Sequence, residues 1–326
     1  MTTETLDDSH RTSSFSPVAP GVWRLGVVFV NVYAIESPGG GLVLVDTGLP
    51  GLSGWVRRAL EAQFGAGTRP EAIVLTHAHF DHAGGAKALS AGWDVPVYAH
   101  LLEMPYITGQ ADYPPPDPTP GGAICFLSRF FPASGTDVGP RAQPLPSDHA
   151  VPNLPGWRWV HTPGHTRGHV SLFRDEDRTL IAGDALATTD LDSWTSQITW
   201  AEEFQRPATP FTPDWDAALE SVRRLAALDP LAVGAGHGRS ISGPQVAGEL
   251  RSFAREMVPP PDGRYSARPA HYRPDGRVES VPPPVPDPLP GKLLLGAALA
   301  AGGWMALRAL SSRRRGREFE SVSHKR

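Results

Sequence analysis

The stretch Thr76-His77-Ala78-His79-Phe80-Asp81-His82 places three imidazoles and a carboxylate directly after the apolar run Ala72-Ile73-Val74-Leu75. Imidazole nitrogen and carboxylate oxygen are the donors that suit zinc and its borderline neighbours. Burying four such groups on one turn leaves severe unsatisfied polarity unless a cation compensates. Further groups of the same chemistry stand at wide spacing beside glycines: His165 in Thr162-Pro163-Gly164-His165-Thr166, Asp184 in Ala182-Gly183-Asp184, and His237 in Gly236-His237-Gly238. Two histidines at i and i+2 on a strand exit can point the same way, and Asp81 with His82 can turn toward a neighbouring ion. Two metals about 3.5–4 Å apart, sharing a hydroxide, would polarise a substrate carbonyl and supply its attacker together. Such chemistry needs no serine or cysteine nucleophile. Isolated histidines such as His100, His149 and His271 read as surface or core residues.

With these motifs in this order, the chain resembles the metallo-β-lactamase superfamily over roughly residues 18 to 250. The resemblance implies an α/β fold of a particular kind, a four-layer αβ/βα sandwich with metals at the sheet edge. It also implies that His77, His79 and His165 hold one metal, that Asp81, His82 and His237 hold a second, and that Asp184 bridges the two. Each of these positions carries the residue type that the family expects. The implied cofactor is zinc, two ions per chain, although iron or manganese suits the same donors. Asp81 is expected to be catalytic as well as ligating, the leaving group taking its proton from a metal-bound water or from Asp81. Asp46, in Val45-Asp46-Thr47-Gly48, matches the family's acidic motif past a strand end and is expected to orient the metal loop without binding metal. Thr76, Thr162 and His169 either hydrogen-bond the ligating groups or serve loop structure alone.

The expected function is therefore a binuclear zinc hydrolase attacking an ester-like carbonyl of a small-molecule substrate: a thioester, a lactone or another small ester. In motif style the chain is similar to hydroxyacylglutathione thioesterases (glyoxalase II) and acyl-homoserine lactonases. It lacks an evident counterpart of the thioesterase's basic glutathione-binding pair, because the corresponding C-terminal region turns proline-rich. The alternative from a different class is a persulfide dioxygenase-like oxidoreductase, with one iron on two histidines and an aspartate; intact His82 and His237 do not exclude it. No flavin domain follows the motifs, which weighs against flavodiiron electron transfer.

The rest of the 326 residues must position these groups, and the length allows one full core plus appendages. A formal charge of −4 gives no global signal for nucleic acid, and none is expected as a partner. The lone cysteine, Cys125, fits a reducing compartment. Met1 to Pro17 is polar, without the basic and apolar regions of a secretory signal, so a cytoplasmic location is expected and a secreted antibiotic-degrading β-lactamase is not.

Residues 1–16 read as a flexible tail and 17–257 as the catalytic domain. Within it, Val27 to Ile35 and Leu42 to Val45 read as strands around the turn Ser37 to Gly41. Leu52 to Phe64 has helical spacing and stops at Gly65, and a short helix is expected from Ala83 to Leu89. Val95 to Ala99 reads as a strand near an edge because of Pro96. Residues 103–155 break the alternation with recurrent proline around the apolar island Ala123-Ile124-Cys125-Phe126-Leu127 and Phe130-Phe131. An insertion of this kind is a functional lid or a surface excursion, and its place ahead of His165 favours a lid over the metals. Val246 to Met257 reads as a closing helix. Residues 258–290 read as a stiff proline-rich linker, with Pro-Asp-Gly-Arg repeated at 261–264 and 274–277. Residues 291–310 read as an apolar helix whose uninterrupted stretch is about 15 residues, short of the roughly 20 needed to span a bilayer. With the basic tail 311–326, and Arg313 to Arg317 in particular, the segment 291–317 is expected to contact a membrane surface or to pack in an oligomer.

Overall fold

The computed structural model of the chain describes residues 14–196, 202–287 and 289. The first half is a seven-stranded sheet in the order β1 (Ser16–Ala19), β2 (Val22–Val27), β3 (Val30–Glu36), β4 (Leu42–Val45), β5 (Ala72–Val74), β6 (Val97–Ala99) and β7 (Ala142–Pro144). Strands β1 to β4 are antiparallel neighbours, whereas β4 to β7 run parallel. Between β4 and β5 lies α1 (Ser53–Phe64), and between β5 and β6 lie α2 (Phe80–Ala83) and α3 (Ala86–Trp93). Two short helices, α4 (Met104–Ile107) and α5 (Ala123–Leu127), precede β7. The second sheet orders its strands β12 (Ile241–Ser242), β11 (Ala232–Ala235), β10 (Thr179–Gly183), β9 (Val170–Arg174) and β8 (Trp157–His161). Helices α6 (Trp215–Ala226) and α7 (Val246–Glu256) belong to this half.

Strand periodicity makes the layers. Along β3 and β4, Tyr33, Ile35, Val43 and Val45 join a core shared with Trp157, Leu172 and Ile181 of the second sheet. Their neighbours Val32, Ala34 and Leu44 turn to the other face and meet Val56 and Leu60 of α1 and Leu89 of α3. In the second sheet, Leu180 and Val233 face Val222 and Leu225 of α6 and Leu250 of α7. Alternate residues thus serve opposite faces, as a period of two requires, and the result is helix, sheet, sheet, helix. Each fully buried Leu or Val in these cores contributes about 1.5–3 kcal/mol.

Several local expectations change. Val28 and Phe29 do not continue a strand: Val28 takes a φ of 62° in the tight turn between β2 and β3, which sets Phe29 at the sheet edge. The helix expected from Ala83 to Leu89 is two helices broken at Gly84-Gly85. Strand β6 is not an edge, because the insertion supplies β7 beyond it; Pro96 stands just before β6 and removes no ladder donor within it. Of the expected tail, residues 1–13 lie outside the described residues, but Phe15 is buried and Ser16 opens β1.

The proline-rich segment is also not a linker over most of its length. Chain contacts define one unit ending at Pro284 and a second from Val285 onward. Up to Pro284 the segment packs onto the catalytic body. Tyr265 is buried and donates to the Pro115 carbonyl at 2.8 Å, and Tyr106 donates to the Gly276 carbonyl at 2.7 Å. The second Pro-Asp-Gly-Arg is the turn of a hairpin, β13 (His271–Tyr272) with β14 (Val278–Ser280). The apolar segment 291–310 and the basic tail 311–326 lie outside the described residues. Among the described residues, no helix is long and apolar enough to cross a membrane.

Candidate metal centre

The residues expected to ligate metal leave the structure at one edge, where strand ends from both sheets meet. His77 and His79 follow β5, and Asp81 and His82 ride on the single turn α2. His165 follows β8, Asp184 is the first residue past β10, and His237 stands two residues past β11. The sheets are pinned together at this edge by β3. Tyr33 Oη donates to the Ala235 carbonyl at 2.6 Å, and Asn31 Nδ2 donates to the carbonyls of Ala235 and Gly238 at 2.8 and 2.7 Å. The loop carrying His237 is therefore held from both ends by the opposite sheet.

The donor atoms form two groups. His77 Nε2 lies 3.0 Å from His79 Nδ1, which lies 2.9 Å from His165 Nε2. Asp81, His82 and His237 make a second group whose donor atoms can converge on one ion, and His77, His82 and Asp184 converge across the two. Asp184 reaches both: its Oδ2 lies 3.4 Å from His165 Nε2 and 3.1 Å from His237 Nε2, and its Oδ1 lies 3.4 Å from His82 Nε2.

Electrostatics separates the groups. Burial, reinforced by the neighbouring imidazoles, holds His77 and His165 well below the usual histidine range and brings His79 to about 3. These three are neutral at pH 7, with lone pairs to offer. Burial also opposes charge on His82, but Asp184, Asp46 and Asp81 override it and hold its pKa well above the ordinary value. His237 is raised too: Asp184 and Asp81 outweigh its burial. Burial resists ionisation of Asp184, yet His237 and His82 hold its carboxyl well below the usual range. The pocket thus demands positive charge beside Asp184, which metal ions would supply.

The residues fit such ions. His82 Nε2 and Asp184 Oδ1 are buried and make no hydrogen bond, an expensive state for polar atoms that a ligated cation would relieve. Space is kept for the carboxylate by Gly236, where a Cβ would fall 1.8 Å from Asp184 Oδ1.

The surrounding hydrogen bonds orient the imidazoles, with tautomers assigned from the network. Asp46, itself at a φ of 60°, accepts from the Thr76 backbone N–H and the Thr76 hydroxyl, both at 2.8 Å. Its Oδ2 also accepts from His82 Nδ1 at 2.8 Å, leaving Nε2 as the donor toward the centre. The Thr76 hydroxyl accepts in turn from His77 Nδ1 at 3.1 Å, which leaves His77 Nε2 free. His237 Nδ1 donates to the Phe29 carbonyl at 2.8 Å. His169 Nε2 accepts from the Asp184 backbone N–H at 2.8 Å, and its Nδ1 bonds Thr162 Oγ1 at 2.8 Å. Asp46, Thr76 and His169 therefore touch the candidate ligands directly, while Thr162 acts one step away.

Sequence reasoning missed Glu103. Its buried carboxylate accepts from the Ala78 N–H at 3.1 Å and from Tyr113 Oη on one side, and from Thr166 Oγ1 at 2.7 Å and the Gly168 N–H at 2.9 Å on the other. It ties the loop of His77 and His79 to the loop of His165. Burial raises its pKa, against those donors, which lower it. The available signal was a lone acid in the apolar run Leu101-Leu102-Glu103-Met104.

A helix–sheet–sheet–helix sandwich with His and Asp converging at the sheet edge defines a scaffold for metal-dependent chemistry. A family model of the metallo-beta-lactamase superfamily matches residues 25–237. The probable metallo-hydrolase YflN of Bacillus subtilis is 41% identical over 252 residues, 76% of this chain and 96% of that protein. The probable metallo-hydrolase YybB of the same organism is 30% identical over 215 residues, 65% of this chain and 82% of that protein. In fold, the chain is similar to a beta-lactamase domain protein from Burkholderia ambifaria, with a TM-score of 0.51 and 22% identity over 74% of this chain and 76% of that one. The chain belongs to the metallo-beta-lactamase superfamily, a metallo-hydrolase class of enzymes.

Proposed function

We propose that the chain is a binuclear hydrolase of small esters, thioesters or lactones, with zinc as the metal of choice for its nitrogen and oxygen donors. The observation that supports this reading is Asp184, whose two oxygens stand 3.1–3.4 Å from the imidazoles of His165, His237 and His82. In this reading His77, His79 and His165 would hold one ion, Asp81, His82 and His237 would hold the other, and Asp184 would serve both. When bound, the pair supplies an acidified water and a Lewis acid for the carbonyl. The chain's own residues do the rest. Asp46 and Thr76 lock His82 and His77 in the tautomers that expose Nε2, and the Phe29 carbonyl does the same for His237. The departing atom takes its proton from a metal-bound water or from Asp81. The complete second donor group favours two metals over the single iron of a persulfide dioxygenase.

The test is elemental analysis of untagged protein purified without added metal, paired with an ester and thioester screen. About two zinc ions per chain with turnover is the expected result. About one iron per chain, with oxygen uptake on persulfides, would transfer the reading to the dioxygenase.

A further inference from the structure

The metal-facing cleft has a volume of about 130 Å³, and its walls are almost wholly apolar. The floor is His79, Asp81, His165, Asp184 and His237; above it stand Phe29, Phe80, Phe211, Leu191 and, from the insertion, Ile124, Leu127 and Phe131. Among the described residues, no lysine or arginine lines it. Arg129, on the same segment, donates to the carbonyls of Cys125 and Phe126 at 3.1 and 3.2 Å, and Arg206 pairs with Asp192 at 2.8 Å.

Phe131 organises the wall. Its ring stacks with Phe29 at 6.0 Å and with Phe211 at 6.2 Å, and meets Phe80 at 5.2 Å. Phe29 also stacks on His237 at 6.1 Å, so the aromatic wall is continuous with the donor groups. The apolar surface continues past the mouth. Phe126, Leu127, Phe130 and Trp194 are all large and exposed, Phe130 by 73%, and Phe126 meets both Phe130 and Trp194 edge to edge or tilted.

A cleft built in this way discriminates by solvation. A carboxylate, phosphate or peptide-like substituent lying along these walls, away from the floor, would lose water and find no charged side chain or donor set in return. An alkyl or aryl substituent gains about threefold to fourfold in binding for each methylene it buries. Resting on the hydrolase reading above, we propose that the substrate is an ester whose carbonyl carries an uncharged apolar chain of several carbons. Ile124, Leu127, Phe131 and Phe211 determine that choice, and the rim of Phe126, Phe130 and Trp194 takes the overhang of longer chains. The insertion is thus a specificity wall, and an anionic substituent is rejected.

The test uses the full-length, metal-loaded protein and four probes: para-nitrophenyl acetate, butyrate and octanoate, and the para-nitrophenyl half-ester of glutarate, which carries a free carboxylate. The expected kcat/KM rises from acetate to octanoate by about 100-fold, several buried methylenes at the factor above. Glutarate should fall at least about tenfold below butyrate. In Leu127→Arg, a change at a 38% exposed position, the order should shift, with octanoate losing and glutarate gaining. A flat series, or glutarate equal to butyrate, would overturn the proposal while leaving the hydrolase reading intact. If none of the four esters turns over, hydrolysis of oxygen esters is excluded, and calorimetry with neutral decanamide against acetamide decides the cleft: tighter decanamide binding, weakened in Leu127→Arg, upholds the apolar wall, and equal binding sinks it.

Discussion

Glu103 Oε1 accepts a hydrogen bond from the Gly168 backbone N–H at 2.9 Å, joining the start of the insertion to the loop that carries His165. With Ala78, Tyr113 and Thr166 also donating, the carboxylate meets donors alone. Glu103→Gln keeps the shape but turns an amide NH2 toward two of those donors. It should cost about 1–3 kcal/mol in chemical denaturation and lower metal affinity about 10–100-fold. Wild-type stability together with wild-type metal affinity would mean that the clamp has no positioning role.

Asp46 acts on the second donor group through a single atom. Its Oδ2 accepts from both Thr76 Oγ1 and His82 Nδ1, so Asp46→Asn offers an NH2 or a poorer acceptor to at least one of them. His82 then loses the bond that directs Nε2 to the centre. A fall of about 10–100-fold in kcat/KM is expected, with far-UV circular dichroism unchanged, and added metal should recover part of it. Recovery of full activity without extra metal would refute the orienting role.

The donor groups were legible in the sequence because their chemistry is local: His77 to His82 stand together, and His165, Asp184 and His237 sit at glycine-marked strand exits. Hydrophobic alternation likewise disclosed β4, β5, α1 and α7. What the sequence hid is long-range. Glu103 meets partners 25 and 65 residues away, and nothing in its own neighbourhood reports them. The 258–284 segment looked like a linker because proline and polar residues dominate it. Its docking depends on a few anchors, Tyr265, Gly276 and the β13–β14 hairpin, which composition dilutes. Phe29 read as strand because aromatic and β-branched residues favour strands; the turn at Val28 overrides that preference.

Asp81 belongs to one donor group only, so its loss should be selective. Asp81→Ala removes a carboxylate from α2 without touching His77, His79 or His165. Metal content should drop from about two ions per chain to about one, and ester turnover should fall by at least about 10²-fold. Thermal unfolding should stay cooperative. Undiminished turnover would end the binuclear mechanism.

Gly236→Ala tests the space reserved for the shared carboxylate. The new Cβ would lie 1.8 Å from Asp184 Oδ1 and 2.8 Å from His82 Cε1, so Asp184 must leave its place or the loop must shift. Loss of both metal binding and turnover is expected, with a destabilisation of about 1–3 kcal/mol from overpacking. Normal metal content in this variant would show that the carboxylate is not confined there.

Acid stability away from the centre should depend on His100 and His161, whose rings stack at 4.4 Å. Burial, helped by His161, lowers the His100 pKa to about 4, and burial lowers His161 as well. The unfolded chain titrates these groups near about 6.5. Between the two values it binds more protons than the folded chain, so stability is complete above about 6.5 and falls as pH drops toward 4. At the candidate metal centre, acid also competes with metal for the imidazoles, which adds its own pH dependence. The comparison must therefore isolate one residue. His100 Nδ1 accepts from the Leu102 N–H at 3.2 Å, a capping bond that asparagine can keep without titrating. In His100→Asn the fall in Tm between pH 6.5 and 4.5 should be shallower than in the parent protein. Parallel slopes would assign the acid sensitivity elsewhere.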